Sequence, residues 1–319
     1  MTTATISRQS GNLIRWVEYA LLGILLLTGA LLPIFTDRDN ILNLGYLVLL
    51  NICLSQSWNI LGGFTGQTSL GHAAFFGIGA LVARFIWLSW HLPIVAAMVA
   101  GGAAAALFAM IIGAPTFRLR GAYFAIGTLA LGQMLFAFVA QTLPFIDTMP
   151  GAQIGMYSLA NRYYLAFALV LTVMGVTLWL LRQPISLGLL AVREDEEAAR
   201  ATGVDPLRHK LFALALSALF TGMTGGLFAY HQISYYPEAT FGIHWTFDAV
   251  LITYIGGLGS WIGPVIGSLF FVALREWLAS TFASLNLIIF GALFIAVVLV
   301  LPGGLVEIWH RIQRRLSQA

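Results

Sequence analysis

The chain has 319 residues, of which 59% are hydrophobic and only 9% are charged, with a mean hydropathy of +0.88 and a formal net charge of +3. Ordinary globular domains are about 45–50% apolar, so this composition excludes a water-soluble protein and predicts a membrane protein. The basic residues are scattered among apolar segments, which indicates membrane orientation and argues against nucleic-acid binding. Cys53 is the only cysteine, so no disulfide can form within the chain.

The first apolar run, at 16–35, has two interpretations. It follows a polar start that contains Arg8 and Arg15, as a secretory signal would. The run is longer than the hydrophobic region of a signal, however, and TDRDN follows where a cleavage site would need small residues. We expect an uncleaved first membrane span.

Apolar runs of spanning length follow one another along the chain. A bilayer takes about 20 residues of helix to cross. The predicted segments are 16–35, 41–61, 70–88, 92–114, 121–143, 163–181, 210–231, 246–278 and 286–302. The segment 246–278 is too long for one crossing and contains GGLGSWIGP, so we expect two crossings there, one of them short. The prediction is an all-α, polytopic integral membrane protein with about 8–10 transmembrane helices in a single transmembrane domain over 1–319.

Basic residues in the short loops predict the orientation. Loops rich in Arg and Lys face the cytoplasm, which places the N-terminal tail, Arg118 with Arg120, the connection 182–209 and the C-terminal tail on that side. The opposite loops carry only Arg38 and Arg162. Both termini should therefore be cytoplasmic, which requires an even number of crossings.

A glycine-rich stretch, GGFTGQTSLGHAAFFGIGA at 62–80, lies between the second and third predicted spans. Glycine at this density permits either close helix packing or a broken helix beside a transport pathway. In the second case TGQTSLGH would supply a half-helix N-terminus with free N–H groups. The candidate pathway residues here are Gly66, Gln67, Ser69, Gly71 and His72. His72 by itself is more typical of a packing histidine than of a proton relay.

A second glycine-rich stretch, YIGGLGSWIGPVIGSLFF at 254–271, lies in the other half of the chain. Its candidate residues are Gly256, Gly257, Gly259 and Gly263. Two glycine-interrupted segments in corresponding halves point to a binding site at a repeat interface. They predict pseudo-symmetric halves.

Four charged residues lie in or near apolar runs: Asp248, Arg84, Arg275 and Glu276. Charge inside a membrane is a functional hypothesis by default. Near the end of a span, however, long side chains reach the interface by snorkelling. We expect this for Arg84 and Arg275.

Several motifs are missing, and their absence narrows the function. Lys210 is the only lysine, so the chain has no phosphate-binding G-x-x-x-x-G-K-[ST] loop. It has no H-E-x-x-H, no cysteine pair and no G-x-S-x-G, so metal, redox and hydrolase chemistry lack support. The prediction is a protein that is not an enzyme and binds no metal or cofactor itself.

The stretch AVREDEEAARATGVDPLRHK, at 191–210, concentrates charge in an apolar chain. It holds five of the thirteen acidic residues and four of the sixteen basic ones. Its composition predicts a short helix from Arg193 to Gly203, with Gly203 as the C-cap, Pro206 beyond it and an i,i+4 pair of Glu196 with Arg200. This helix would be either a docking element for a soluble partner or a solvated loop.

Four stretches in order carry a resemblance to a known family. EEAARATG contains Glu197-Ala198-Ala199 followed after three residues by Gly203, which matches the E-A-A-x-x-x-G loop of bacterial ABC-importer permeases. GGFTGQTSLGHAAFFGIGAL, LRGAYFAIGTLALGQM and YIGGLGSWIGPVIGSLFF accompany it. Together they resemble the LivM-type permease of the branched-chain amino acid importers, over most of the chain.

The resemblance implies a subunit of a larger importer in the bacterial cytoplasmic (inner) membrane. Its partners would be a homologous second permease, two cytoplasmic ATPases that bind ATP and Mg, and a periplasmic or lipid-anchored solute-binding protein. The expected ATPase-coupling residues are Glu196, Glu197, Ala198, Ala199, Arg200 and Gly203. The cargo would be branched-chain or related hydrophobic amino acids. The same family includes urea and short-amide importers, so that alternative stays open.

Three other classes compete with this hypothesis. An ion-coupled secondary transporter would use Asp248 for the driving ion but gives the charged stretch no role. A channel or structural membrane subunit would show flux without nucleotide, or none. A membrane enzyme would need a catalytic cluster that the sequence does not supply.

Overall fold

The structure is a computed structural model. It describes residues 29–35, 38–143, 147–155, 157–281 and 304–306, together with residues 23, 291, 292 and 295. Most of the predicted span at 286–302, most of the span at 16–35 and both charged tails lie outside the described residues.

The described residues are almost entirely helical. The helices are α1 Asp39–Thr65, α2 His72–Ser89, α3 Ile94–Thr116, α4 Ala122–Thr142, α5 Gly151–Ile154, α6 Leu159–Leu181, α7 Pro184–Glu194, α8 Glu196–Ala201, α9 Pro206–His231, α10 Pro237–Thr240, α11 His244–Gly256 and α12 Gly263–Thr281. Two short antiparallel strands, β1 Asp147–Thr148 and β2 Ser234–Tyr235, pair with each other. Helices α1, α2, α3, α4, α6 and α9 are long and apolar enough to cross a membrane.

Helix α9 is at the centre of the bundle and packs against α1, α2 and α3, while α1 also contacts α6, α11 and α12. Hydrogen bonds show that α1 and α9 are antiparallel: the Tyr46 hydroxyl donates to the Leu227 carbonyl at 3.1 Å, and the Ser217 hydroxyl donates to the Ser57 carbonyl at 2.6 Å. The bundle therefore has a strand end, which carries β1 and β2, and an α8 end, which carries α7 and α8.

Small residues allow the helices to approach closely. A Cβ added at Gly79 of α2 would collide with the backbone of Gly222 in α9, and one added at Gly225 would collide with the Phe76 carbonyl. Membrane helices associate through such contacts because lipid supplies no hydrophobic force between them.

The long 246–278 segment is divided, as the glycines predict. Helix α11 ends at Gly256, and α12 begins at Gly263. Gly257 and Gly259 between them adopt positive φ angles of 128° and 77°, which only glycine tolerates without strain.

The snorkelling interpretation of Arg84 is wrong. Its side chain is 3% exposed and forms an ion pair with Asp147 at 2.8 Å, while also donating to the carbonyls of Ala229, Gln232 and Asp147. The guanidinium fastens the strand end because its fixed array of donors matches this set of acceptors. Arg162, expected in a loop, lies inside α6 and is buried.

Candidate functional site

The predicted helix from Arg193 to Gly203 is divided between two helices, α7 and α8. Asp195 has an extended backbone and separates α7 from α8, so α8 begins at Glu196 and the predicted start at Arg193 is wrong. The physical reason is N-capping: the Asp195 carboxylate accepts from the backbone N–H groups of Glu197 at 2.8 Å and Ala198 at 3.1 Å. These bonds satisfy free donors of the first turn and hold the pKa of Asp195 below its usual value.

The end of α8 agrees with the predicted stop. The helix ends at Ala201, Gly203 has a positive φ of 89°, and the Val204 N–H donates to the Ala199 carbonyl at 3.0 Å. This left-handed glycine turns the chain toward α9, which begins at Pro206. The connection is therefore a folded element with both ends capped.

The predicted coupling residues separate into an exposed group and an internal group. Glu197, Ala198, Arg200 and Gly203 are exposed to solvent, whereas Ala199 is buried. Glu197 has a long ion pair with Arg120 at 3.5 Å, but both side chains are more than 70% exposed, so this pair contributes little stability. The exposed group forms a solvent-accessible surface at the α8 end, to which Glu197 and Arg200 contribute charges.

Glu196 belongs to the internal group. Its carboxylate pairs with Lys210 of α9 rather than with Arg200, and it accepts from the Gln67 side chain at 3.4 Å. The Lys210 side chain is only 4% exposed. Glu196 therefore fixes α8 to α9 and to the loop that follows α1.

The two glycine-rich stretches meet at the α8 end. The Asn59 side chain of α1 donates to the Ser260 carbonyl at 2.9 Å and accepts from the Gly259 N–H at 2.9 Å. Arg193 of α7 donates to the Gly63 carbonyl at 2.7 Å. A Cβ at Gly259 would collide with the Arg193 guanidinium. Arg193 thus links α7 both to the end of α1 and to the turn between α11 and α12.

The other predicted pathway residues of the first glycine-rich stretch lie in packed surroundings, and their role in a pathway stays a prediction. His72 is buried, with Nε2 at 2.8 Å from the Ser217 hydroxyl, and Gly71 lies against the Thr128 backbone. The Ser69 carbonyl accepts from the indole of Trp58 at 2.8 Å.

Five glycines of the predicted pathway shape the helix ends. Gly66 ends α1 with a φ of 70°. Gly256 and Gly263 are in backbone contact, and Gly257 connects them to the turn at Gly259.

Sequence analysis missed a polar stripe on α1. Asn51, Ser55 and Asn59 recur every four residues, so they share one face of the helix. The Ser55 hydroxyl donates to the Asn51 carbonyl at 2.6 Å, and the Ser55 carbonyl accepts from Thr253 of α11 at 3.1 Å. The i,i+4 spacing was the available signal, but the apolar residues around it hid the stripe.

A cavity of about 340 Å³ lies beside this stripe, between α1, α11 and α12. Its wall contains Asn51, Asp248 and Arg275, and the Arg275 guanidinium donates to the Asp248 carboxylate at 3.1 Å. Sequence analysis identified Asp248 and Arg275 as charges in an apolar run but did not bring them together.

The long apolar helices and their exposed side chains show what class of protein this is. Six spanning-length apolar helices among the described residues, with large hydrophobic side chains exposed along them, make this an integral membrane protein. Its sequence between 40 and 298 matches the profile of the branched-chain amino acid transport system permease component. The chain belongs to that family.

Individual relatives agree with the family match. The chain is 28% identical to the high-affinity branched-chain amino acid transport system permease protein LivM of Escherichia coli, over 86% of this chain and 71% of the relative. It is 27% identical to LivM of Salmonella typhimurium over the same shares. It is 29% identical to the guanosine ABC transporter permease protein NupQ of Bacillus subtilis, over 64% of this chain and 63% of that protein. No solved structure matches the chain.

Proposed function

We propose that this chain is a permease subunit of an ATP-driven importer of branched-chain or related hydrophobic amino acids. The family match and the LivM relatives support this class. The observation that carries the coupling role is the capped helix α8, which presents Glu197, Ala198 and Arg200 to solvent on an otherwise apolar protein.

The partners in this proposal follow from the family match. Because the sequence has no phosphate-binding loop, the ATPases are separate subunits. Two cytoplasmic ATPases bind ATP and Mg and engage α8. A second, homologous permease completes the membrane part, and a periplasmic or lipid-anchored solute-binding protein delivers the cargo. The complex lies in the bacterial inner membrane, with both termini of this chain in the cytoplasm.

The mechanism uses contacts around Arg193. Closure of the ATPase dimer displaces α8 and, through Asp195, the end of α7 that carries Arg193. Arg193 donates a hydrogen bond to Gly63 at the end of α1 and lies against Gly259. Its displacement therefore moves the end of α1 and the turn between α11 and α12 together. The permease pair then rocks between outward-open and inward-open states.

A substitution on the exposed face of α8 tests this function. Glu197→Lys leaves the fold intact, since Glu197 makes only the weak pair with Arg120, but reverses the charge presented to the ATPase. We expect uptake of radiolabelled leucine by cells expressing the complete importer to fall at least about tenfold, the effect of roughly 1.4 kcal/mol. Glu238→Lys, an exposed glutamate at the strand end, is the matched control and should transport normally. Unchanged uptake in Glu197→Lys would contradict the proposal.

A further inference from the structure

The cavity between α1, α11 and α12 has the size and composition of a small-molecule site. Its volume of about 340 Å³ lies at the lower end of the range of roughly 300–1,000 Å³ for ligand pockets. The polar lining residues are Asn51, His244, Asp248, Arg275 and Glu276. Buried charges are costly unless they are paired or used, and this cavity holds charges of both signs.

The two paired charges are differently accessible. The Asp248 side chain is 12% exposed, whereas the Arg275 side chain is 58% exposed. Their single hydrogen bond uses one carboxylate oxygen and one guanidinium nitrogen. The other Asp248 oxygen and the remaining guanidinium donors give the pair spare hydrogen-bonding capacity toward a ligand.

Asn51 supplies an independent sign that a ligand is expected. The residue is 6% exposed, its amide N–H donates to the Leu47 carbonyl at 2.9 Å, and its amide oxygen has no partner among the described residues. Buried acceptors are nearly always satisfied in folded proteins. Asn51 lines the same cavity as Asp248, and an amide oxygen without a partner among the described residues is suited to a cationic donor such as an ammonium group.

The rest of the wall is apolar and suits an aliphatic group. It is formed by Leu47, Leu50, Trp245, Phe271, Val272 and Ala279. A ligand that matches the whole lining has a positive group, a negative group and a hydrocarbon side chain. Urea and short amides have neither charge, and therefore match it less well.

We propose that this cavity binds a free α-amino acid with an aliphatic side chain. The ammonium group is held by Asp248 and the Asn51 amide oxygen, the carboxylate is held by Arg275, and the side chain lies against the apolar wall. The choice of substrate class rests on the proposed function. The assignment of these residues rests on the cavity.

Calorimetry on the full chain in lipid nanodiscs tests the assignment directly. Leucine should bind, and 4-methylpentanoate and isoamylamine, which each lack one of its charges, should bind at least about tenfold more weakly. Asp248→Asn, Arg275→Gln and Asn51→Ala should each weaken leucine binding by a similar factor, because each removes a hydrogen bond to a charged group. Glu238→Gln, at the strand end, should bind as the unaltered chain does.

Three results would overturn the assignment: no heat with leucine at roughly millimolar concentration, equal binding of a one-charge analogue, or unchanged binding by variants that keep the helical circular dichroism of the unaltered chain. Binding of urea or guanosine more strongly than leucine would be a fourth result that overturns the assignment. Uptake assays separate this outcome from failure of the proposed function. ATP-driven leucine uptake without binding here would remove only the cavity assignment, whereas leucine binding without ATP-driven uptake would remove only the importer.

Discussion

Two residues, Glu196 and Arg193, hold the connection between α6 and α9 against the rest of the bundle. Glu196 binds Lys210 and Gln67, and Arg193 binds Gly63. A buried ion pair is costly to break, because the partner left behind is a desolvated charge. We therefore interpret Glu196 as the structural anchor of α8 and Arg193 as the positioning residue that transmits its movement.

Arg193→Ala tests that difference. The substitution removes a charged hydrogen bond, an effect of about 1.5–3 kcal/mol, without touching the exposed face of α8. We expect leucine uptake to fall roughly tenfold or more, while co-purification with the ATPase subunits is retained. Arg182→Ala, from the same connection, is the control and should leave both measurements unchanged. Loss of co-purification in Arg193→Ala would show that Arg193 serves docking instead of transmission.

At the scale of the helix, the close approach of α2 and α9 depends on absent side chains. Gly79→Ala places a methyl group against the Gly222 backbone, which cannot give way as a flexible side chain would. We expect a loss of about 1–3 kcal/mol, as for overpacked cores, measured as a lower thermal midpoint in detergent. Gly175→Ala, in α6, is the matched control, since a Cβ there meets nothing within 4 Å. Equal midpoints for the two variants would mean that α2 and α9 are not in close contact.

The helices could be predicted from the sequence because lipid leaves the backbone few alternatives. The break between α11 and α12 could be predicted as well, since GGLGSWIGP cannot continue a helix. The start of α8 was misplaced because Arg193 and Glu194 are good helix formers, whereas Asp195, a residue type preferred at N-caps, marks the true start. Arg84 was misjudged because its partner, Asp147, is distant in the sequence and meets it only in the folded bundle.

The polar stripe of α1 gives the element a second role besides packing. Asn51 lines the cavity, Ser55 bonds α11 through Thr253, and Asn59 holds the Gly259 turn. Four residues beyond Asn59, Gly63 receives Arg193. One face of α1 therefore runs from the proposed amino-acid site to the contact with Arg193. A change at either end of this face acts on the same helix.

At the scale of the whole molecule, the proposal requires that the two ends of the bundle face opposite sides of the membrane. The α8 end carries Arg118, Arg120 and the connection 182–209, which the basic-residue rule assigns to the cytoplasm. The strand end carries β1, β2 and the start of α11. In this proposed orientation, an ATPase that binds nucleotide in the cytoplasm would engage the α8 end.

Cysteine labelling in intact cells checks this orientation. Ala201→Cys at the α8 end and Ala239→Cys at the strand end replace exposed alanines with a side chain of similar size. The native Cys53 is buried, so it contributes little background. We expect a membrane-impermeant maleimide to modify Ala239→Cys in intact cells, and Ala201→Cys only after permeabilisation. Labelling of Ala201→Cys in intact cells would place α8 outside the cell, beyond the reach of any cytoplasmic ATPase, and the importer proposal would then fail together with the role assigned to Arg193.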